Sequence, residues 1–362
     1  MAIKEITDRI SDVEFDLITA RFEKSLPIKE RIGNVNVYRI GIGIPILDKL
    51  TLPFWGMIKA IKLNNKNNYL VYWCMMVSFS SGAAYIANIL GNRKVPIILT
   101  LQEGDSESYL KYRWLGLVRL SWWLALKKAS VVTAISSYLA DRAKKFGYYK
   151  KKVEIIPNGV DLELFGDIEF KKLGGPISYV HLITTSRLSK KNGVEDIIKA
   201  LPHLSREQPL KFKLIIFGDG PLKKNLKKLV EKKNLTERVG FYDYKSHTDI
   251  IKTFKEFLNI NWIFIRPSLS EGMGNSFIEA MAAGIPIIGT SVGGIVDFLK
   301  DGETGLFCKV NDPKSIADKI MEYVNNPDLT SKIIENAKKL VREKYDWDLI
   351  AVQMKNVFDN IK

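Results

Sequence analysis

Cysteine is nearly absent from this 362-residue chain, with Cys74 and Cys308 alone. Two thiols so far apart give neither a disulfide framework nor a metal cluster, so an intracellular, reducing compartment such as the cytoplasm is the default. Histidine is as scarce: His181, His203 and His247 all fall in the second half. His247 reads as part of a helix start and His203 as a surface turn residue, and neither is assigned a catalytic role. The opening residues lack the charged-then-apolar pattern of a signal peptide. Acidic residues are outnumbered, 40 Asp+Glu against 55 Lys+Arg, for a formal charge of +15. That balance favours an anionic partner (a nucleotide, an acidic membrane surface or nucleic acid), or else lysines that keep helical faces such as 223–233 solvated. No nucleic-acid-binding motif accompanies the charge, so nucleic acid is not expected as a partner.

Charge is missing altogether between Lys66 and Arg93, and the run 70–90 is long enough to span a membrane. Ser78, Ser80, Ser81 and Gly82 interrupt it, and residues 71–77 are rich in strand formers. A buried strand, a serine-glycine turn and a buried helix are the expected reading, with a membrane span as the alternative.

What is present is alternation. From Asp16, short apolar segments such as VPIILTLQEG and SVVTAIS are separated by helical patterns at 48–63, 83–90, 109–128 and 137–146. Strands separated by helices imply parallel crossover units and a sheet buried on both faces. Glycine and proline cluster at 157–176, and the alternation then restarts with SYVHLITTSRL. The fold class expected is α/β, with two Rossmann-like doubly wound domains facing an interdomain cleft. Their expected spans are 1–166 and 174–344, with a final helix at 345–362.

The chain is organised around 261–294, NWIFIRPSLSEGMGNSFIEAMAAGIPIIGTSVGG. An apolar strand ends at Pro267, and Glu271, Gly272, Met273, Gly274 and Asn275 lead into a helix carrying Phe277, Ile278, Met281 and Ala282 at helical spacing. Glu271 lies in the loop and Glu279 on the helix, a little over two turns further on. Glycines let backbone approach a ligand, and the N–H groups of a helix start favour an anion. Those features suit a ligand with both hydroxyls and phosphate; the alternative is a surface helix with two solvated glutamates.

This stretch resembles the Glu-x7-Glu signature of retaining nucleotide-sugar glycosyltransferases of the GT-B fold, in particular glycosyltransferase family 4. The resemblance implies that Glu279 holds the nucleotide ribose and Glu271 the donor-sugar hydroxyls, with backbone of Gly272 to Asn275 against sugar and diphosphate. It also implies front-face transfer, in which the leaving phosphate takes the acceptor proton; neither a protein nucleophile nor a metal is then obligatory, and no cofactor is expected. Other segments fit less closely. Arg187 with Lys190 and Lys191 is similar to the Arg and Lys pair that clamps the diphosphate, although the usual lysine position holds Asn192. Lys191 is the candidate and Lys190 its substitute. The loop containing Gly218 and Gly220 resembles one that lies near the nucleotide, with the base near 242–244. Gln102 stands where the family often has a histidine. Gln102, Glu103, Asp105 and Ser136 are candidate acceptor or sugar contacts, or simply a capped loop.

The family's members resemble one another in a final helix, here 345–362, that crosses back onto the N-terminal domain, and in opening with a strand, a glycine-rich loop and a helix. Here the first residues look like that helix and the second strand, and Gly33 is the only glycine before position 41. The first strand and its loop are expected to be missing. Asp346-Trp347-Asp348 imitates a metal-binding Asp-x-Asp motif but reads as a helix start with a packing tryptophan. Two segments, 49–62 with Phe54 and Trp55 and 109–128 with its three tryptophans, have the composition of a membrane interface, or of core helices with basic ends. The function expected is transfer of a sugar from a nucleotide-sugar to a glycan, polysaccharide precursor or lipid-linked sugar. Peripheral contact with the inner membrane face is a further expectation. The rival readings are another GT-B activity, an epimerase or phosphorylase, or nucleotide binding without transfer.

Overall fold

The computed structural model describes residues 2–92, 94–105, 117–149, 152–165, 179–204, 211–243 and 261–361. By contact the chain divides into two units, Met1–Asn158 with Trp347–Lys362 and Gly159–Asp346. The expected boundary at 166–174 lies outside the described residues, as do Tyr244, His247 and residues 109–116.

The first unit runs α1 (Ala2–Asp8), β1 (Phe15–Ala20), β2 (Lys29–Ile32), β3 (Val35–Ile40), α2 (Pro45–Asn67), β4 (Tyr72–Met75), α3 (Phe79–Leu90), β5 (Ile97–Leu101), α4 (Leu117–Lys128), β6 (Val131–Ala134), α5 (Ser137–Lys145) and β7 (Glu154–Ile155). Its strands form two sheets, ordered β1-β3-β2 and β4-β5-β6-β7. The second is parallel throughout. In the first, β2 runs antiparallel to β3. This departs from the all-parallel expectation, because Gly33, at φ +56°, turns the chain back within two residues. Ile18 of β1 and Tyr72 of β4 pack on the same α2–α3 cluster of Met57, Ala60 and Ala87. Phe15 and Trp73, on the same two strands, pack against the final helix (Trp347–Asp359). Strands of the two sheets are thus covered by the same layers although the sheets remain separate.

Residues 70–90 resolve into β4 and the 12-residue α3. The helix starts at Phe79 rather than after the glycine, because Ser78 and Ser81 form a reciprocal capping box that satisfies the first N–H groups. Phe79, Ile89 and Leu90 are exposed, so α3 is less buried than its composition implies. Among the described residues no helix is long and apolar enough to cross a membrane.

The second unit contains α6 (Leu162–Phe165), β8 (Tyr179–Thr185), α7 (Val194–Ala200), β9 (Lys211–Phe217), α8 (Lys223–Lys232), β10 (Val239–Tyr242), β11 (Asn261–Arg266), α9 (Asn275–Ala282), β12 (Ile287–Thr290), β13 (Leu306–Cys308), α10 (Pro313–Asn325) and α11 (Pro327–Lys344). One six-stranded sheet, ordered β10-β9-β8-β11-β12-β13, is parallel throughout. Its central strands are continuous apolar runs, as burial on both faces requires: Ile263, Phe264 and Ile265 have no exposed surface.

Candidate active site

In the second unit β8 lies between β9 and β11, so the chain leaves β8 toward one side of the sheet and later returns on the other. At such a switch point the loops beyond the carboxyl ends of the strands diverge and leave a crevice for ligand. Every second-unit candidate from the sequence except Asn275 and Glu279, which are on α9, lies in a loop or short turn at that end. Arg187 follows β8 and leads to a single 3-10 turn, Lys190–Asn192. Gly218 and Gly220 follow β9, and residues 267–274 join β11 to α9. The loops are tied to one another: the Leu269 N–H donates to the Lys191 carbonyl at 2.7 Å and the Gly294 N–H to the Glu271 carbonyl at 3.1 Å. Gly218 takes φ +151°, and a Cβ there would sit 1.9 Å from the Ser186 carbonyl oxygen, so close backbone contact demands glycine.

Glu271 is 8% and Glu279 9% exposed, which corrects the reading of two solvated surface glutamates. The structure supplies a partner that the sequence did not single out. Arg266, the last residue of β11, donates from Nη2 to Glu271 Oε2 at 2.5 Å, and the pair is largely buried. Nη1 of Arg266 reaches the Ser276 hydroxyl at 2.9 Å, and Nη2 also reaches Asn192 Oδ1 at 3.3 Å. The Gly272 N–H donates to Glu271 Oε1 at 3.2 Å. Glu271 is therefore held in one orientation by a cation and a backbone N–H, in a setting where such bonds are strong. The only sequence signal for Arg266 was an arginine ending an apolar strand five residues before Glu271.

Asn192 occupies the position where the resembled family carries lysine. It is buried, and its Nδ2 donates to the Arg187 carbonyl at 2.5 Å, so it shapes the turn from inside. Lys190 and Arg187 are exposed and Lys191 is half-buried, leaving three cationic side chains beside the crevice. Gly274, at φ +93°, precedes α9, and no side chain caps that helix start. The hydroxyls of Ser186 and Ser268, each just beyond a strand end, are buried without a hydrogen-bond partner. Unsatisfied buried hydroxyls beside an uncapped helix start and a set of cations form a polar environment suited to an anionic ligand. Tyr242, near the expected base position, is half exposed, with its ring 5.3 Å from that of Phe217.

The first-unit candidates lie at the ends of β5 and β6. Glu103 is buried and accepts the N–H groups of Val77 at 2.6 Å and Gln102 at 3.0 Å. Burial pushes its carboxyl above the ordinary range, against those N–H groups and the nearby Arg142. Arg142 donates to the Glu103 and Asp105 carbonyls at 3.1 and 2.7 Å. Ser136 has no exposed surface, and its hydroxyl accepts the Leu139 N–H as the cap of α5. Its hydroxyl is thereby committed within the chain, as are both Glu103 oxygens. Gln102 is half-buried, its amide 3.4 Å from Asn158.

Two α/β units of Rossmann type, the second with its switch-point loops, make up the GT-B fold. Residues 9–164 match the family model described as Glycosyltransferase Family 4, and residues 167–340 the model described as Glycosyl transferases group 1. The chain is accordingly a family 4-like glycosyltransferase. An uncharacterized glycosyltransferase of Methanocaldococcus jannaschii is 27% identical over 95% of this chain and 89% of its own. N-acetyl-alpha-D-glucosaminyl L-malate synthase of Bacillus anthracis is 26% identical over 77% of this chain and 71% of its own. Among solved structures, sucrose-phosphate synthase of Thermosynechococcus elongatus shares the fold with a TM-score of 0.83 at 18% identity, covering 99% of this chain and 92% of that one. Anabaena HepE, solved with UDP and glucose, does so with a TM-score of 0.71 at 21% identity, covering 90% and 86%.

Proposed function

We propose that this glycosyltransferase moves a sugar from a nucleotide-diphosphate sugar to a hydroxyl acceptor on a glycan, polysaccharide precursor or lipid-linked sugar, with retention at the anomeric carbon. The observation that carries the reading is the set of loops at the carboxyl ends of the second unit's strands. They carry Arg187, Lys190, Lys191 and the buried Glu271, and lead into an uncapped helix that carries the buried Glu279. Cations and helix-start N–H groups fit a diphosphate; carboxylates fit vicinal hydroxyls. The bound pair in Anabaena HepE, a uridine nucleotide and a hexose, is of that chemical kind.

In the proposed reaction the bond from the anomeric carbon to the diphosphate oxygen breaks, and its electron pair stays on the phosphate. Arg187 and Lys191, with Lys190 in support, offset that growing charge. The acceptor oxygen bonds to the anomeric carbon from the face the phosphate leaves, and its proton passes to the departing phosphate oxygen. Glu271, fixed by Arg266, accepts donor-sugar hydroxyls with its remaining lone pairs. Glu279 holds the ribose, and the glycine-flanked loops at Gly218 and Gly220 and at Gly272 to Asn275 admit the diphosphate closely. The protein contributes position and charge rather than a nucleophile, a metal or a cofactor.

Calorimetric titration of the full chain with UDP, GDP and ADP tests the reading. One nucleotide should bind, and Glu279→Ala should weaken it by about tenfold or more, the worth of a charge-assisted hydrogen bond. An unchanged dissociation constant would remove the ribose role. Failure of all three nucleotides to bind would remove the donor site. Binding with no sugar transferred or released would leave a nucleotide-binding protein.

A further inference from the structure

The first unit carries most of the chain's excess of lysine and arginine, and among the described residues it also carries a cluster of exposed apolar side chains. Ile42, Ile44, Ile46, Leu47, Leu50 and Phe54 are all exposed, Ile46 by 75% and Leu50 and Phe54 by 56% each. Ile46, Leu50 and Phe54 recur at every fourth position with Leu47 beside them, which confines them to an arc of about 100° on α2. Met57, which falls on nearly the same azimuth further along the helix, is buried. The exposed arc thus borders the buried side of α2, which runs through Leu52, Gly56, Ala60 and Leu63, and its edge is covered only further along the helix, at Met57.

That start also overhangs its neighbour. Pro53 lies against Gly82, Gly56 against Ala83 and Ile61 against Gly91, so α2 and α3 run parallel. On that register Phe79, the first residue of α3, stands level with Leu50. Residues 45–49 therefore project about 7 Å beyond it at 1.5 Å per residue.

The projection is held rigidly. Asp48, itself buried, accepts the N–H groups of Ile42, Gly43 and Ile44 at 3.0, 2.8 and 3.1 Å, locking the loop onto the first turn of the helix. Cations stand at its base: the Lys49 ammonium lies 5.3 Å from the centre of the exposed Phe22 ring, and Lys24 packs where a side chain on Gly43 would go.

We propose that this projection, the loop 41–44 with the first three turns of α2, docks the protein on an anionic lipid bilayer. Branched aliphatic and aromatic tips enter the interface, while Lys24 and Lys49 meet the headgroup charge; apolar area and charge act together there, as at other interfacial helices. A protein partner's acidic groove or a second copy of the chain would cover the same tips. The lysines at the base of a projecting tip, within a unit that is basic overall, favour a flat anionic surface. The docking surface is independent of the transfer reading, since vesicle binding requires neither donor nor turnover.

The test is co-sedimentation of the full chain with phosphatidylglycerol vesicles and with phosphatidylcholine vesicles at low salt. The variants are Leu50→Ser with Phe54→Ser, Lys49→Glu, and Trp123→Ser on α4 as a second exposed aromatic site. Binding to phosphatidylglycerol should exceed binding to phosphatidylcholine and fall with salt. The α2 double variant should lower the partition coefficient about tenfold or more while its melting temperature stays put, and Lys49→Glu should lower it only on anionic vesicles. The proposal is overturned if the wild-type chain ignores phosphatidylglycerol, or if Trp123→Ser abolishes binding that the α2 variant keeps. It is equally overturned if sedimentation velocity shows a dimer that the α2 variant dissociates.

Discussion

Glu103 is the buried carboxyl whose behaviour follows most directly from its surroundings. Burial disfavours its ionised form and raises its pKa above the ordinary 4.5; the Val77 and Gln102 N–H groups and Arg142 oppose this without prevailing. In the unfolded chain the group ionises near its ordinary value. Below that value both states are protonated and nothing is lost; as pH rises above it, the unfolded state releases its proton first, so Glu103 costs the folded state stability. Glu103→Gln removes the titration while keeping an acceptor oxygen. Denaturant midpoints of wild type and variant, compared from pH 4.5 to 7.5, should move apart in the variant's favour as pH rises. A constant gap would mean that Glu103 ionises as freely folded as unfolded. At this scale the sequence was partly legible. The two glutamates of the 261–294 stretch announced themselves by spacing and by the glycines beside them. Arg266 did not, because a lone arginine at a strand end is common, and only the turn of the following loop brings Glu271 back onto it. Asn192 stood in the sequence only as a departure from the resembled motif, and nothing there showed that its buried amide ties Arg187 to Arg266.

At the scale of elements, the loops after β11 and β12 are fitted to each other through glycines, and two of the chain's glycines separate strain from collision. Gly293 takes φ +56°, and a Cβ on it would stand 1.9 Å from the Glu271 carbonyl oxygen. Gly302 takes φ +71°, yet a Cβ there would have nothing within 4 Å. Both alanine variants meet the left-handed penalty of about 1–2 kcal/mol. Only Gly293→Ala must also push the Glu271 backbone aside. The expected outcome is a modest loss of stability for Gly302→Ala with nucleotide binding intact. Gly293→Ala should lose more stability and weaken binding as well; equal effects on binding would show that the fit between the two loops is irrelevant to the site. Elements were the most legible part of the sequence, since strand runs and helical spacing report burial directly. What escaped was β2, with three of its four residues exposed and no apolar alternation, and its antiparallel pairing with β3, which a two-residue turn at Gly33 imposes.

For the whole molecule, the informative fact is that the last helix completes the first unit's core. Its buried Trp347, Ile350, Met354 and Phe358 recur at helical spacing and pack with Ile6, Ile10, Ile98 and Ile156. Phe358 sits edge-on to Trp73 with ring centres 5.4 Å apart, and Arg9 bonds Asp348 at 2.6 Å while Lys355 bonds Asp12 at 2.9 Å. The periodicity of this helix was readable from sequence; which core it fills was an expectation from resemblance, because amphipathic spacing fixes a face and not its partner. The consequence is that damage at the C-terminal end should be felt at the N-terminal one. Trp347→Ala removes a side chain only 3% exposed and should cost about 3–5 kcal/mol, as large aromatic truncations in cores do. Hydrogen exchange should localise that loss to α1, β1 and β5, with β8, β11 and β12 nearly as protected as before. The six-stranded sheet has its own core around Leu182, Leu214, Ile263 and Ile288, and the described residues of that cluster include none from the last helix. Uniform loss of protection over both units would show instead that they unfold as one cooperative body, in which case truncating the final helix would abolish nucleotide binding along with the first unit's structure.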